Sequence, residues 1–521
     1  MKRMLALVLC FALLLCGCGP KNAMGFSKIV KFEDMTYVRP DMDVIAEKAN
    51  AAIDAGITGK LTNQILNAVW EYYDVYESYM TAYDLAYVHY QANLSDIYWE
   101  AEYEFCAENT AKLDQYLEDI YRALAKNPCR EELEEEYFGD GWFDDYDGES
   151  WYDDELVELL EQEQILVAEY YDLTADAYTL GEEAFYDEYA EPLAELLAEL
   201  VLLRQELAQS VGYDSYTDFA WDFYYYRDYT PAEAGDYLEN LKALVPLYEQ
   251  VNTYETFAAG DEPWREEAVY DYVKTTAKEM GGDVWEAFRL MDEADLYDIS
   301  ASPYKSGMSF ELYFYEYCEP YILISGTGTR YDCLTFAHEF GHFATDYAAG
   351  GSIAGIDVLE VFSQAMELLS LDCAGANERM VDMKLADCLC TYVEQAAYAA
   401  FELALYELPG MKVTGENILA LYERIGTEYG FAAMDWDSRD LVAVPHFYSN
   451  PLYVISYVVS NDAALQIYQQ ELDTPGAGRE TYQNHLATEQ EYFLAFLEEA
   501  GLESPFDRVD SVKDFLTDRL S

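Results

Sequence analysis

The sequence predicts a mainly α-helical protein with one short β segment, and three observations carry that expectation. Apolar residues recur at helical spacing through residues 42–55 and 63–87 and at Leu193, Leu196, Leu197, Leu200 and Val201, which is the pattern of a buried helix face. Ala, Leu and Glu are abundant while Pro numbers only 14, so helices are favoured and seldom broken. Between Lys305 and Gly328 the pattern changes. Residues 310–324 are dense in aromatic and β-branched side chains and read as two strands with Pro320 between them. No Pro/Gly/Ser-rich linker and no internal repeat divides the chain, so two lobes sharing helices are expected.

At the start of the chain, Lys2 and Arg3 precede an apolar run over residues 4–15. That run is too short for a membrane span, which takes about 20 residues, and it reads as an export signal. It ends in Leu15-Cys16-Gly17-Cys18, which resembles the bacterial lipoprotein box. The resemblance implies cleavage before Cys18, a lipid on that cysteine, and a protein anchored to the cell membrane on its extracytoplasmic face, extracellular or periplasmic. Residues 19–31 are small, polar and mixed and read as a tether. The folded part is expected over residues 32–521, as an N-terminal helical lobe to about 300 and a second region over about 301–510.

The 101 Asp and Glu against 30 Lys and Arg leave a net charge of -71. Such a surface excludes phosphate-neutralising contact with nucleic acid and a polybasic membrane patch. It favours solubility and attracts cationic peptides. Beyond the signal, seven cysteines remain with no C-x-x-C pair, so isolated thiols are expected rather than a cysteine metal site. Residues 137–154, rich in Asp, Gly and aromatics, read as an exposed loop without the EF-hand order of ligands. The 50 Tyr are expected mostly to pack with a wet hydroxyl edge.

The chemistry concentrates in Thr335-Phe336-Ala337-His338-Glu339-Phe340-Gly341-His342. On a helix, His338 and His342 stack one turn apart on the same face. Two imidazoles so placed grip one divalent metal, Zn2+ by expectation, and Glu339 sits beside them as a base. A hydrolytic zinc takes a third protein ligand. Glu360 and Glu367 follow on a second helical stretch, two turns apart on one face; one would ligate and the other orient a ligand.

With these residues in view, the chain resembles the thimet-oligopeptidase and oligoendopeptidase F family of zinc peptidases. The likeness is carried by His338-Glu339-Phe340-Gly341-His342, by Glu360-Val361-Phe362-Ser363-Gln364-Ala365-Met366-Glu367, and by Val444-Pro445-His446-Phe447-Tyr448 with Tyr453 and Tyr457. Arg204, Gly212-Tyr213, Tyr216, Arg227-Asp228-Tyr229 and Tyr37-Val38-Arg39-Pro40-Asp41 extend it over about residues 30 to 510. Two departures stand out. The gap from His342 to Glu360 is shorter than usual, with Gly350, Gly351 and Gly355 marking a trimmed loop, and Asn450-Pro451-Leu452 shifts the tyrosines by about one residue.

The resemblance implies a two-lobed helical metallopeptidase with a deep substrate channel and a small sheet beside the zinc helix. It implies one Zn2+ on His338, His342 and Glu360, with Glu339 as general base. His446 and a tyrosine, Tyr457 before Tyr453, would stabilise the transition state; both tyrosines are expected to face the cleft on a helix opened by Pro451. The implied reaction is internal cleavage of short oligopeptides. A zinc carboxypeptidase or dipeptidase, with Lys305 or Arg330 clamping a terminal carboxylate, is the alternative enzyme, and a dead peptide-binding lipoprotein the alternative of another class.

Overall fold

Helices make up nearly all the regular structure in the computed structural model, which describes residues 29–139, 141–147, 154–174, 180, 182–251, 263–433 and 436–520. The signal, Cys18 and most of the tether lie outside the described residues. The Val30 N–H, near the end of the expected tether, donates to Glu319 Oε1 at 3.2 Å, and the Phe32 N–H just after it to the Ala294 carbonyl at 3.0 Å. The folded part therefore begins slightly earlier than composition indicates, because these backbone groups find partners some 260–290 residues away.

Three long helices come first, α1 (Met42–Thr58), α2 (Thr62–Ala92) and α3 (Ile97–Ala125). Asp41 caps α1 by accepting from the Asp43 and Val44 N–H groups, and Asp96 caps α3 at the Tyr98 N–H, each satisfying a donor that the helix itself leaves open. The three pack on one another around their own core. Tyr72, Tyr73, Tyr76 and Tyr79 line it from one face of α2. Their hydroxyls are paired inside, Tyr72 with the Leu113 carbonyl at 2.9 Å, Tyr73 with Tyr121 and Tyr79 with the Cys106 carbonyl. Tyrosine here is a core residue that brings one polar atom needing a partner.

Of the stretch expected to be an exposed loop, residues 140 and 148–153 lie outside the described residues, and the rest is different. Phe138, Phe143 and Tyr146 are buried in this same cluster, and short helical turns at Glu134–Phe138 and Asp144–Tyr146 place them there. The aromatic content outweighs the Asp and Gly content, since each buried ring removes a large apolar area from water.

From α4 (Asp154–Thr174) and α5 (Glu182–Ser210) onward the chain shares one continuous core that runs to Leu516. Met35, Leu85, Val88 and Ala111 from the first part of the chain join this same core, and the helices from α4 up to residue 300 pack with the second region. The sheet has three strands, β1 (Tyr297–Asp298), β2 (Phe310–Phe314) and β3 (Glu319–Leu323), in the order β1-β3-β2. Pro320 lies inside the central strand, not between strands. The Ile322 and Ile324 N–H groups point at β1, bonding to Leu296 and Asp298 carbonyls. Position 320 points the same way, but β1 pairs only with Ile322 and Leu323, so the missing N–H costs no ladder bond. β2 forms an edge beside the helix α6 (Asp332–Ala349). Among the described residues, no helix is long and apolar enough to cross a membrane.

Candidate metal centre and catalytic groups

The helix α6 carries His338, Glu339 and His342, and the helix α7 (Ile356–Cys373) packs directly across it. Asp332 starts α6 by gathering the preceding turn, accepting from the Thr327 N–H at 2.9 Å and the Gly328 N–H at 2.8 Å. Gly341 sets the spacing between α6 and α7. A Cβ there would stand 2.6 Å from Ser363 Cα and 2.8 Å from the Phe362 carbonyl oxygen. The loop between the helices is short and glycine-dependent. Gly350 and Gly351 turn with φ of 80° and 95°, values that disfavour side chains, and a Cβ on Gly355 would overlap the Glu491 carbonyl oxygen at 2.0 Å.

This close approach brings one donor atom each of His338, His342 and Glu360 within 4.8 Å of one another. Glu360 Oε2 lies 3.4 Å from His338 Nε2 and 3.8 Å from His342 Nε2. A tetrahedral site with bonds of about 2.1 Å has edges of about 3.4 Å, so two imidazoles and one carboxylate at these separations fit a zinc-type divalent ion with a fourth position open. The Glu360 side chain is 2 % exposed and fully partnered. Its Oε1 accepts from the Tyr453 hydroxyl at 2.6 Å and its Oε2 from the Ser363 hydroxyl at 2.8 Å. Glu367, two turns on, is turned to the far side of His338 and meets Nδ1 at 2.9 Å. Lys384, from the helix α8 (Glu378–Cys390), lies 2.7 Å from the other Glu367 oxygen.

Glu339 is buried and makes no hydrogen bond among the described residues. Burial pushes its carboxyl up to about 7, with the His338 charge opposing and Glu360 and Glu367 adding to the rise. His338 stands near 9 without a metal: burial lowers it, but the Glu367 hydrogen bond and the charges of Glu360 and Glu339 raise it more. A divalent ion on Nε2 would take the place of that proton. Glu311 from β2 and Asp346 from α6 share a hydrogen bond, and burial holds both acids above the usual carboxylate range, Asp346 at about 6.

His446 opens a short turn, His446–Ser449, and its Nε2 lies 3.2 Å from the Tyr457 hydroxyl. Burial brings the His446 imidazole down to about 4, with the charge of Glu360 partly opposing, so it is neutral at physiological pH. Tyr457 lies on the helix α9 (Ile455–Asp473). Contrary to expectation, Pro451 does not open that helix, which begins four residues later. Leu452 adopts a left-handed φ of 66°, and its N–H donates to buried Glu402 at 2.6 Å. That turn leaves Tyr453 just before the helix and Tyr457 in its first turn, ring centres 5.2 Å apart. Tyr453 reaches Glu360 while Tyr457 reaches His446, so the two hydroxyls serve different partners.

The outlying motif residues hold this arrangement from behind. Arg204, fully buried, pairs with Glu163 at 2.6 Å and donates to the carbonyls of Phe447, at 3.1 Å, and Tyr448, fixing the His446 turn. Arg227, Tyr229 and Ser456 all donate to or pair with buried Asp357 in the first turn of α7. Lys305 is turned to the sheet, donating to the Ile324 carbonyl at 2.8 Å and pairing with Asp298 at 3.0 Å. Arg330 stacks on Trp264, 4.4 Å from the ring centre. Sequence reasoning does not single out Lys384, Asp387, Tyr331 or Glu402. Each sits in an unremarkable helical or turn context, and only the fold brings it to the site.

A nearly all-helical fold that brings two imidazoles, one carboxylate and an unpartnered glutamate together on interlocked helices has the groups of a metal-dependent hydrolase. Residues 32–147 match the Peptidase M3 N-terminal domain and residues 220–507 match Peptidase family M3; the chain belongs to peptidase family M3. The fold is shared with PZ peptidase A solved with an inhibitor, at 20 % identity over 94 % of this chain and 100 % of that one, TM-score 0.82. It is shared also with a protein described as oligoendopeptidase F, at 22 % identity over 94 % and 98 %, TM-score 0.82. A third, described as oligoendopeptidase F from Bacillus anthracis str. Ames, matches at 22 % identity over 95 % and 98 %, TM-score 0.79. No curated protein matches the sequence.

Proposed function

We propose that this chain is a zinc-dependent endopeptidase that cleaves internal bonds of short oligopeptides outside the cytoplasmic membrane. The observation that carries the reading is the triangle of His338 Nε2, His342 Nε2 and Glu360 Oε2 at separations that fit zinc, with Glu339 unpartnered beside it. The oligoendopeptidase descriptions of structures with the same fold support peptides as substrates. Zinc, when bound, supplies Lewis acidity toward a water and the scissile carbonyl. The residues do the rest. Glu339, raised to about 7 by burial, takes a proton from the attacking water and returns it to the departing amine. His446, neutral, and the Tyr457 hydroxyl donate toward the oxygen on which negative charge develops. Tyr453 and Ser363 hold Glu360 and keep its oxygens from rotating. β2, at the edge of the sheet beside α6, is where an extended peptide would add as a further strand.

Of the two candidate clamps for the carboxypeptidase alternative, Lys305 is turned into the sheet and paired with the Ile324 carbonyl and Asp298. Attachment through a lipid on Cys18 is proposed on the signal pattern alone; Cys18→Ser expressed in a bacterium should move the protein from the membrane fraction to the soluble one, and unchanged membrane retention would sink it.

The central test is cleavage of an internally quenched nonapeptide by purified protein with its metal content measured. Internal cleavage by a protein with one zinc is expected. Glu339→Gln should keep the zinc and lower kcat by about 10²-fold or more. Stepwise trimming from the C-terminus would replace the endopeptidase reading, and absence of bound zinc would remove the site.

A further inference from the structure

Behind His338 runs a closed ring of polar groups, Lys384 and Glu367 buried and His338, Asp387 and Tyr331 half-buried, that neither the motif nor the reaction scheme uses in full. Lys384 on α8 is 4 % exposed, and its ammonium lies 2.7 Å from Glu367 Oε2 and 2.6 Å from Asp387 Oδ2. Glu367 Oε1 meets His338 Nδ1 at 2.9 Å. Asp387 Oδ1 accepts the Tyr331 hydroxyl at 2.7 Å. Tyr331 is the N-cap of α6, two turns before His338, so the ring closes through the backbone of the metal helix.

The chemistry of each group fixes its part. An ammonium only donates, so the Glu367 oxygen facing Lys384 accepts. A carboxylate held that way accepts at its second oxygen too, which keeps a proton on Nδ1 of His338 and reserves Nε2, once its own proton is displaced, for a metal shared with Glu360 and His342. Packing alone does not explain the lysine. Its neighbours on α8, Met383, Leu385 and Ala386, are buried and apolar, and an apolar side chain at 384 would avoid the cost of burying a charge.

We propose that Lys384 is a positioning residue for the metal centre: it holds Glu367 so that Glu367 orients His338. The inference rests on the reading of His338, His342 and Glu360 as metal ligands. The same ring ties α8 to the start of α6 through Asp387 and Tyr331, so the orientation is referenced to two helices besides α7.

The test is a four-protein cycle of wild type, Lys384→Met, Glu367→Gln and the double variant, probed with Zn2+ against a chelating indicator and with the visible spectrum of Co2+. Lys384→Met and Glu367→Gln should each weaken zinc binding about 10–100-fold and shift the cobalt bands in the same direction. Lys384→Met added to Glu367→Gln should cause no further loss, because Lys384 acts through Glu367. Circular dichroism of the metal-free proteins reports folding. If Lys384→Met does not fold, Lys384→Gln, which keeps a donor without the charge, must show the same non-additivity. Wild-type affinity in a folded Lys384→Met protein, or independent losses that add, would overturn the assignment of Lys384 alone. A wild type that takes up neither ion would overturn the metal reading and this inference with it.

Discussion

Glu339 is where local electrostatics and proposed chemistry meet most directly. Its carboxyl is raised to about 7 by burial without metal, so the metal-free folded state holds a proton that the unfolded chain releases from about 4.5 upward. Above that value the folded state binds more protons, and stability contributed by this group falls as pH rises through 7. Glu339→Gln removes the buried ionisation. In chelator-treated protein it should therefore raise stability at pH 8 by on the order of 1–3 kcal/mol relative to wild type and change little at pH 5, as read by urea unfolding at the two pH values. Equal stability at pH 8 would mean that Glu339 is better solvated than its burial indicates. His446 has the opposite sign of dependence. Its imidazole, held at about 4 by burial, must take up a proton on unfolding at mildly acidic pH, so its contribution falls as pH drops from about 6.5 toward 4. The residues that the sequence exposes are those whose chemistry is local: the spacing of His338 and His342 follows from helix geometry alone. The choice between Glu360 and Glu367 is not local, since both share a face of α7, and it depends on which carboxylate the helix crossing aims at Nε2 and which at Nδ1.

Among the elements, the crossing of α6 and α7 decides the site, and Gly341 decides the crossing. Alanine at 341 would gain roughly 1 kcal/mol of helix propensity over glycine. Its Cβ, however, would stand 2.6 Å from backbone Cα of Ser363, and a backbone atom in a packed helix cannot swing aside as a side-chain tip can. Overpacking of this kind costs about 1–3 kcal/mol, so the steric term wins. Gly341→Ala should lower the unfolding midpoint and weaken zinc binding together, because the same displacement moves Glu360 away from both imidazoles. Calorimetry and chelator competition on one preparation check both; a stabilised variant with intact zinc affinity would show that the crossing is not the controlling contact. The helices themselves are legible from apolar spacing and caps such as Asp41 and Asp96. The strand boundary at Pro320 and the helix start after Pro451 are not. Proline marks a missing donor, but whether that donor was needed depends on how far β1 extends and on Glu402 and Tyr225, which bind the turn from distant positions: Tyr225 donates to the Pro451 carbonyl at 2.6 Å.

At the scale of the molecule, two long-range features act on the site, one through the core and one through the field. The buried arginines Arg204 and Arg227 connect α4, the His446 turn, α7 and α9, and the sequence shows them only as matched family residues, because an arginine's burial is a property of the assembled fold. Removing one partner of such a pair leaves the other charge buried, a loss of about 3–5 kcal/mol, so Arg204→Met should sharply lower the denaturation midpoint and, in whatever fraction folds, reduce kcat through a loosened His446. The field is simpler. A net charge of -71 gives a potential that reaches only about 8 Å into solvent at physiological ionic strength and about 30 Å at 0.01 M salt. A cleft lined by low-dielectric walls concentrates such a field, and it accelerates encounter with cationic ligands rather than the chemical step. For a nonapeptide carrying several Lys or Arg, kcat/KM should therefore fall several-fold from about 0.01 M to 0.15 M salt while kcat stays level. A neutral peptide of the same length should show no such slope. Parallel slopes for the two peptides, or none for the cationic one, would mean that the acidic surface governs solubility and has no part in substrate capture.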